Sequence, residues 1–208
     1  MEDPASLPHP PVPGPEPSLI VRPDILQRLD FPALFGRSAP VEVELGAGDG
    51  SFLLEYAALN PDRDFLGVER LLGRLRKIDR KGRRRSLANL RALRLEAGYV
   101  LQWLIPAGSL QALHVYFPDP WPKRRHWKRR LIDARFTTLA ATALGRGGGM
   151  FVRTDDPDYF AQMTGVFDVN RDFERTPEPN GLLARKTDFE ADFNSRGTPT
   201  CHAAWQRL

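Results

Sequence analysis

Cysteine is almost absent: Cys201 stands alone among 208 residues. One thiol cannot build a disulfide framework or a Cys-rich zinc module, and the scattered histidines lack ligand spacing, so no metal is expected. Long apolar runs are also missing, and no stretch approaches the ~20 residues of a spanning helix, so no membrane association is expected. No segment repeats at a fixed period, which excludes solenoids and propellers. The first residues lack the basic patch and apolar run of a secretory leader, and a reducing cytoplasm is the expected compartment.

What is present suits one domain with a tail. Hydrophobic residues are 41% and charged residues 27%, enough apolar material to bury a core. Residues 1–17 are rich in proline, low in hydrophobicity and without period, and predict a disordered or PPII-like tail before a single domain over 18–208. The net charge of +4 is modest, but the cations concentrate at 70–85 and 123–130, which suggests a polyanion partner.

From residue 41 onward strand and helix patterns alternate. Strands are predicted over 41–45, 65–69, 90–95, 112–117 and 150–153, with two more near 167–173 and 201–206. Helices are predicted over 24–29, 51–59, 71–81 (broken at Gly82), 99–105, 131–144 and 157–166. The pattern favours an α/β fold: a mostly parallel seven-stranded sheet with helices on both faces. Ligands of such sheets bind outside the carboxyl ends of the strands.

The motifs fall at those ends. Glu44-Leu45-Gly46-Ala47-Gly48-Asp49-Gly50 joins a strand to a helix. Its glycines permit a sharp turn and close approach of a ligand. Glu69 ends the next strand, about 20 residues on, where an acid can accept from ribose hydroxyls. An acid before the first glycine, and Ser51 in place of a dinucleotide fold's last glycine, suit a cofactor with an amino-acid end and an adenosine end, S-adenosylmethionine. Phe117-Pro118-Asp119-Pro120-Trp121-Pro122 ends the fourth strand, and prolines flanking an acid hold its carboxylate with little freedom. Lys123-Arg124-Arg125-His126-Trp127-Lys128-Arg129-Arg130 follows, and arginine forks suit phosphate oxygens. The helix over 70–85 is as basic, and reads equally as a solvated face or a wider RNA footprint. Thr187-Asp188-Phe189-Glu190 reads by itself as a helix N-cap with a capping-box partner.

Taken together these blocks, with Gly67-Val68-Glu69 and Thr154-Asp155, resemble the bacterial tRNA (guanine-N7-)-methyltransferase family from about Val41 to the C-terminus. The glycine loop is generic to class I methyltransferases. The Phe-Pro-Asp-Pro-Trp block with its basic continuation is specific to the family. The resemblance implies a Rossmann-like domain that binds S-adenosylmethionine and methylates guanosine 46 in the tRNA variable loop. By position it implies cofactor contacts at Glu44, Gly46, Gly48, Gly50, Glu69, Glu96 and Asp119, with Asp119 also the catalytic residue. It implies substrate contacts at Lys123, Arg125, His126, Lys128, Arg129, Arg130, Asp155, Thr187, Asp188, Phe189 and Glu190. Glu96 stands where the family usually has a shorter Asp or Asn, and Asp188 where Lys is common.

Guanine N7 has an in-plane lone pair and no proton at neutral pH, so methylation there needs no general base. It needs in-line placement and an environment that accepts positive charge on the purine, and Asp119 suits that orienting role. Two other readings stand beside this one. An exocyclic-amine methyltransferase would also place an acid-proline loop here, but the proline before Asp119 disfavours it. A non-catalytic RNA-binding protein could keep the fold, although every acid the chemistry needs is present. A monomer or homodimer is expected.

Overall fold

The computed structural model describes residues 18–208. The expected proline-rich tail lies outside the described residues. Among the described residues, eight strands form one sheet in the order β1-β4-β3-β2-β5-β6-β8-β7. They are β1 (Ile20–Val21), β2 (Val41–Leu45), β3 (Asp64–Val68), β4 (Leu90–Leu93), β5 (Leu110–Tyr116), β6 (Leu144–Thr154), β7 (Phe173–Thr176) and β8 (Cys201–Arg207). β8 alone runs against its neighbours. One strand more than expected is therefore present: Ile20 and Val21 pair with Ala92 and Leu93 at the sheet edge. Two residues carry no periodicity, so only the pairing reveals them.

β2 alternates between two cores. Val41, Val43 and Leu45 join the apolar cluster with Leu66, Val100, Phe136 and Tyr159. Glu42 and Glu44 therefore face the other layer, where α2 (Ser51–Leu59) and α3 (Leu72–Arg84) pack Phe52, Leu53, Leu75 and Ile78. The first face is covered by α1 (Phe31–Phe35), α4 (Ala97–Tyr99) with its π-helical continuation Val100–Leu104, α5 (Ala134–Ala143) and α6 (Pro157–Asp168). Two short helices, α7 (Asn180–Leu183) and α8 (Asp188–Ser195), close the chain between β7 and β8.

Several expected boundaries move for local reasons. Within 24–29 only a short turn at residues 25–26 forms, where the Asp24 carboxylate accepts from Leu26 N at 2.9 Å. The helix starts later, where Asp30 caps Ala33 N and Pro32 sits in the first turn. Gly82 does not break α3: a Cβ there would meet Leu19 Cδ1 at 2.5 Å, so the glycine serves close packing inside the helix. α5 begins at Ala134 because Asp133 caps it, and the glycines at 147–149 belong to β6. The strand expected near 167–173 is instead the end of α6 and a loop, since Phe167 stacks inward on Trp205 at 4.5 Å and β7 starts only at Phe173.

Candidate active site

β2 lies where the chain's course across the sheet reverses, between β3 and β5. The carboxyl ends of these three strands carry the glycine loop, Glu69 and the Asp119 loop, in the crevice position typical of such sheets. Gly46, Gly48 and Gly50 have φ of 83°, 58° and 81°. A Cβ on Gly46 or Gly48 would meet nothing within 4 Å, so the backbone there faces open space. On Gly50 it would meet Ile78 Cγ1 at 2.8 Å, so that glycine also lets α2 pack on α3. The Glu69 carboxylate accepts from Gly48 N at 3.0 Å and Leu71 N at 2.6 Å, pinning loop and helix start together. Lys81 bonds Asp49 at 3.0 Å, and Ser51 Oγ accepts from Asp188 N at 3.0 Å, so α3 and α8 are both tied to this turn.

Glu44 is 4% exposed, and among the described residues its Oε2 has no hydrogen-bond partner. Burial pushes its pKa up to about 8; nearby Arg153 opposes the shift, while Glu69 and Asp49 add to it. The interior thus holds an acid without a donor.

Asp119 is exposed, and among the described residues it makes no hydrogen bond or ion pair. Its loop is strained on both sides: Phe117 and Trp121 have φ of 50° and 47°, a region non-glycine residues seldom occupy. Phe117 is held by Phe193 at a ring separation of 5.7 Å and by Phe117 N donating to Arg153 O at 2.8 Å. Trp121 packs edge-on to His126 at 5.8 Å and under the Arg129 guanidinium at 4.9 Å.

The basic stretch divides. Its 3₁₀ helix, Arg124–Arg129, leaves Arg124, Arg125, Lys128 and Arg129 exposed, with Lys123 exposed just before it and His126 half-buried. Arg130, expected on the RNA side, is instead 5% exposed. It donates to Pro120 O at 2.7 Å and Gln162 Oε1 at 2.8 Å, between the rings of Trp127 (4.6 Å) and Tyr159 (4.8 Å). A guanidinium committed this way has little left for phosphate. Its sequence neighbours hid this, since charge density alone does not say which side chain turns inward.

The C-terminal block also divides. Thr187 is buried and caps α8, accepting from Glu190 N at 3.0 Å. Glu190 does not complete a capping box, nor does it open onto the cleft. It is 2% exposed, with Oε2 on Arg153 at 2.9 Å and Oε1 on His202 at 3.0 Å. Arg153, 0% exposed, also binds Glu178 and lies 4.6 Å from the Tyr116 ring, and His202 closes the group by bonding Glu178 at 3.0 Å. Those two carboxylates raise the His202 pKa to about 9, although burial opposes this. This buried cluster was missed because its members are spread over four segments. Asp188 and Phe189 are exposed, and Phe189 lies between Phe117 (6.4 Å) and the Arg74 guanidinium (5.9 Å). Asp155 is half-buried after β6. Glu96 follows β4 and caps α4, its two oxygens accepting from Gly98 N at 2.8 Å and Tyr99 N at 2.7 Å. A cavity of about 660 Å³ lies at the opposite, amino ends of β2, β5 and β6, lined by Glu42, Arg63, Gly147 and Trp205.

Sheet order and loop placement define a Rossmann-like class I methyltransferase. Solved structures of that class share the fold. A 16S rRNA methyltransferase, KamB, superposes with a TM-score of 0.62 at 17% identity over 85% of this chain and 92% of that one. The 30S ribosomal A1408 methyltransferase of an uncultured bacterium gives 0.59 at 16%, over 86% and 92%. A family model described as "Putative methyltransferase" matches residues 38–203. The tRNA (guanine-N(7)-)-methyltransferase of Alkalilimnicola ehrlichii is 38% identical over 87% of this chain and 76% of the relative. The enzyme of the same name from Chromobacterium violaceum is 38% identical over 86% and 79%. The chain belongs to the tRNA (guanine-N(7)-)-methyltransferase family.

Proposed function

We propose that the protein transfers a methyl group from S-adenosylmethionine to N7 of guanine 46 in the tRNA variable loop. The observation that carries this reading is the convergence at one sheet end of an unpartnered buried acid, an open glycine turn and a free carboxylate on a strained loop. The residues suit the class's cofactor. Glu44 Oε2 lacks a donor and the cofactor has an ammonium; Gly46 and Gly48 leave room above their backbone. Glu69, already fixed by two amides, keeps lone pairs for ribose hydroxyls. When bound, the cofactor supplies a sulfonium methyl.

The protein's part is placement and charge. Asp119 accepts hydrogen bonds from the guanine edge or the cofactor amine, and its negative charge favours the cation that develops on the purine. No side chain need remove a proton. The exposed cations of 123–129 hold phosphates beside the loop, where desolvated base and cation can meet. Phe189 offers a ring beside Phe117 on which a base could stack.

The test is nucleoside mass spectrometry of unmodified tRNA incubated with protein and cofactor. 7-Methylguanosine is expected, and mass spectrometry of nuclease-released oligonucleotides should place it at position 46. An N2- or N6-methylated product would overturn the reading. Asp119→Ala should slow single-turnover transfer more than about tenfold, ~1.4 kcal/mol, with tRNA binding intact.

A further inference from the structure

α3 carries a charge pattern its own stability does not explain. Leu75, Ile78, Asp79 and Gly82 form its buried side. Arg74, Arg76, Lys77, Arg80 and Arg84 are exposed, and Arg85 follows them. Among the described residues, the helix's ion pairs are Lys81–Asp49 and Arg83–Asp79, and the exposed five have none. Arg76–Arg80 and Arg80–Arg84 are like-charge pairs one turn apart, an unfavourable spacing. The helix dipole welcomes cations in the last turn, but Arg74 stands in the first turn, which carries no acidic residue of its own. Such self-repulsion is relieved when an anion is bound.

Position says which anion. α3 follows β3 and the 123–129 stretch follows β5, and these strands flank β2 with its glycine loop. Cations therefore border the site on both sides. From the site α3 runs back along the sheet for about 20 Å, at ~1.5 Å per residue. That outreaches the few nucleotides around one inserted base. Arg74 and Lys77 share a cleft with Asp49, Asp188 and Asp192, so the exposed row outside that cleft, without an ion pair among the described residues, is Arg76, Arg80 and Arg84. We propose that this row holds the phosphate backbone of a second tRNA segment, outside the loop that presents the target guanine. The inference rests on the tRNA reading above.

The test compares full-length unmodified tRNA with a short hairpin bearing the target guanosine in its loop, in salt titrations of binding. The variant replaces Arg76, Arg80 and Arg84 with Gln; a second replaces all three with Lys. For full-length tRNA the Gln variant should bind at least tenfold more weakly near 0.1 M salt. Its log–log slope should fall by about two, at ~0.7–0.9 per phosphate. Hairpin affinity should change less than twofold, and the Lys variant should keep most of the tRNA affinity. Unchanged tRNA affinity and slope would overturn the proposal, as would equal losses on tRNA and hairpin. Wild-type protein that binds tRNA yet yields no 7-methylguanosine would sink the proposed reaction, while the binding comparison would still decide the role of α3.

Discussion

A buried carboxylate without a donor is costly, and Glu44 escapes the cost by holding a proton. Its pKa near 8 means that the free protein carries it largely neutral at pH 7. Pairing with an ammonium would ionise it, so cofactor binding should release close to one proton. Affinity should then rise between pH 6 and 7.5. Calorimetry at pH 7 in buffers of different ionisation enthalpy measures this directly, and a buffer-independent heat would exclude Glu44 from the contact. Glu44→Gln should abolish the release and weaken binding about tenfold, ~1.4 kcal/mol. At this scale the placement of Glu44, Glu69 and Asp119 at or just beyond the carboxyl ends of strands was legible in the sequence. The orphaned oxygen of Glu44 was not, because it depends on what the neighbouring strands place around it.

At the scale of elements, the loop that carries Asp119 is held by Arg130. Two strained residues would relax if the loop were free, and the Arg130 bond to Pro120 O opposes that. Arg130→Lys keeps the charge but loses the planar fork and its seat between Trp127 and Tyr159. The expected result is roughly a tenfold lower kcat, with cofactor affinity and the salt slope of tRNA binding unchanged. A slope that falls by nearly one unit would instead make Arg130 a phosphate contact. Arg129→Ala, at an exposed position, should flatten the slope.

For the whole molecule, the Arg153 cluster joins β6, α8 and β8 with the segment carrying Glu178, and its titration shapes stability. His202 has a raised pKa, so its contribution is complete below the unfolded value of 6.5 and is lost as pH rises through about 9. Glu178 and Glu190 are pushed up by burial, but His202 and Arg153 outweigh this and hold both below 4.5. Their contribution is present above that value and lost as pH falls through the lowered ones. Glu44, raised in the free protein, removes stability progressively as pH rises from 4.5 to about 8, and the loss persists above that. The melting temperature should therefore peak near pH 5, where the gain from Glu178 and Glu190 ends and the loss at Glu44 takes over, and decline on both sides. His202→Gln should flatten the alkaline limb; an unchanged limb would mean that another group governs it. Glu190→Gln should lower the melting temperature, because it unpairs a buried charge network rather than a surface cap.

Local patterns in the sequence determined the parallel sheet, the helix α2 to its last residue and the loops at the strand ends. Each follows from periodicity, turn glycines and prolines over a few neighbouring residues. Tertiary packing alone decided that β1 adds an eighth strand, that Gly82 lies inside α3, that Arg130 turns inward and that Glu190 joins Arg153 and His202. Those outcomes depend on contacts between segments far apart in the chain, and a charged side chain's direction is set by the partner that meets it.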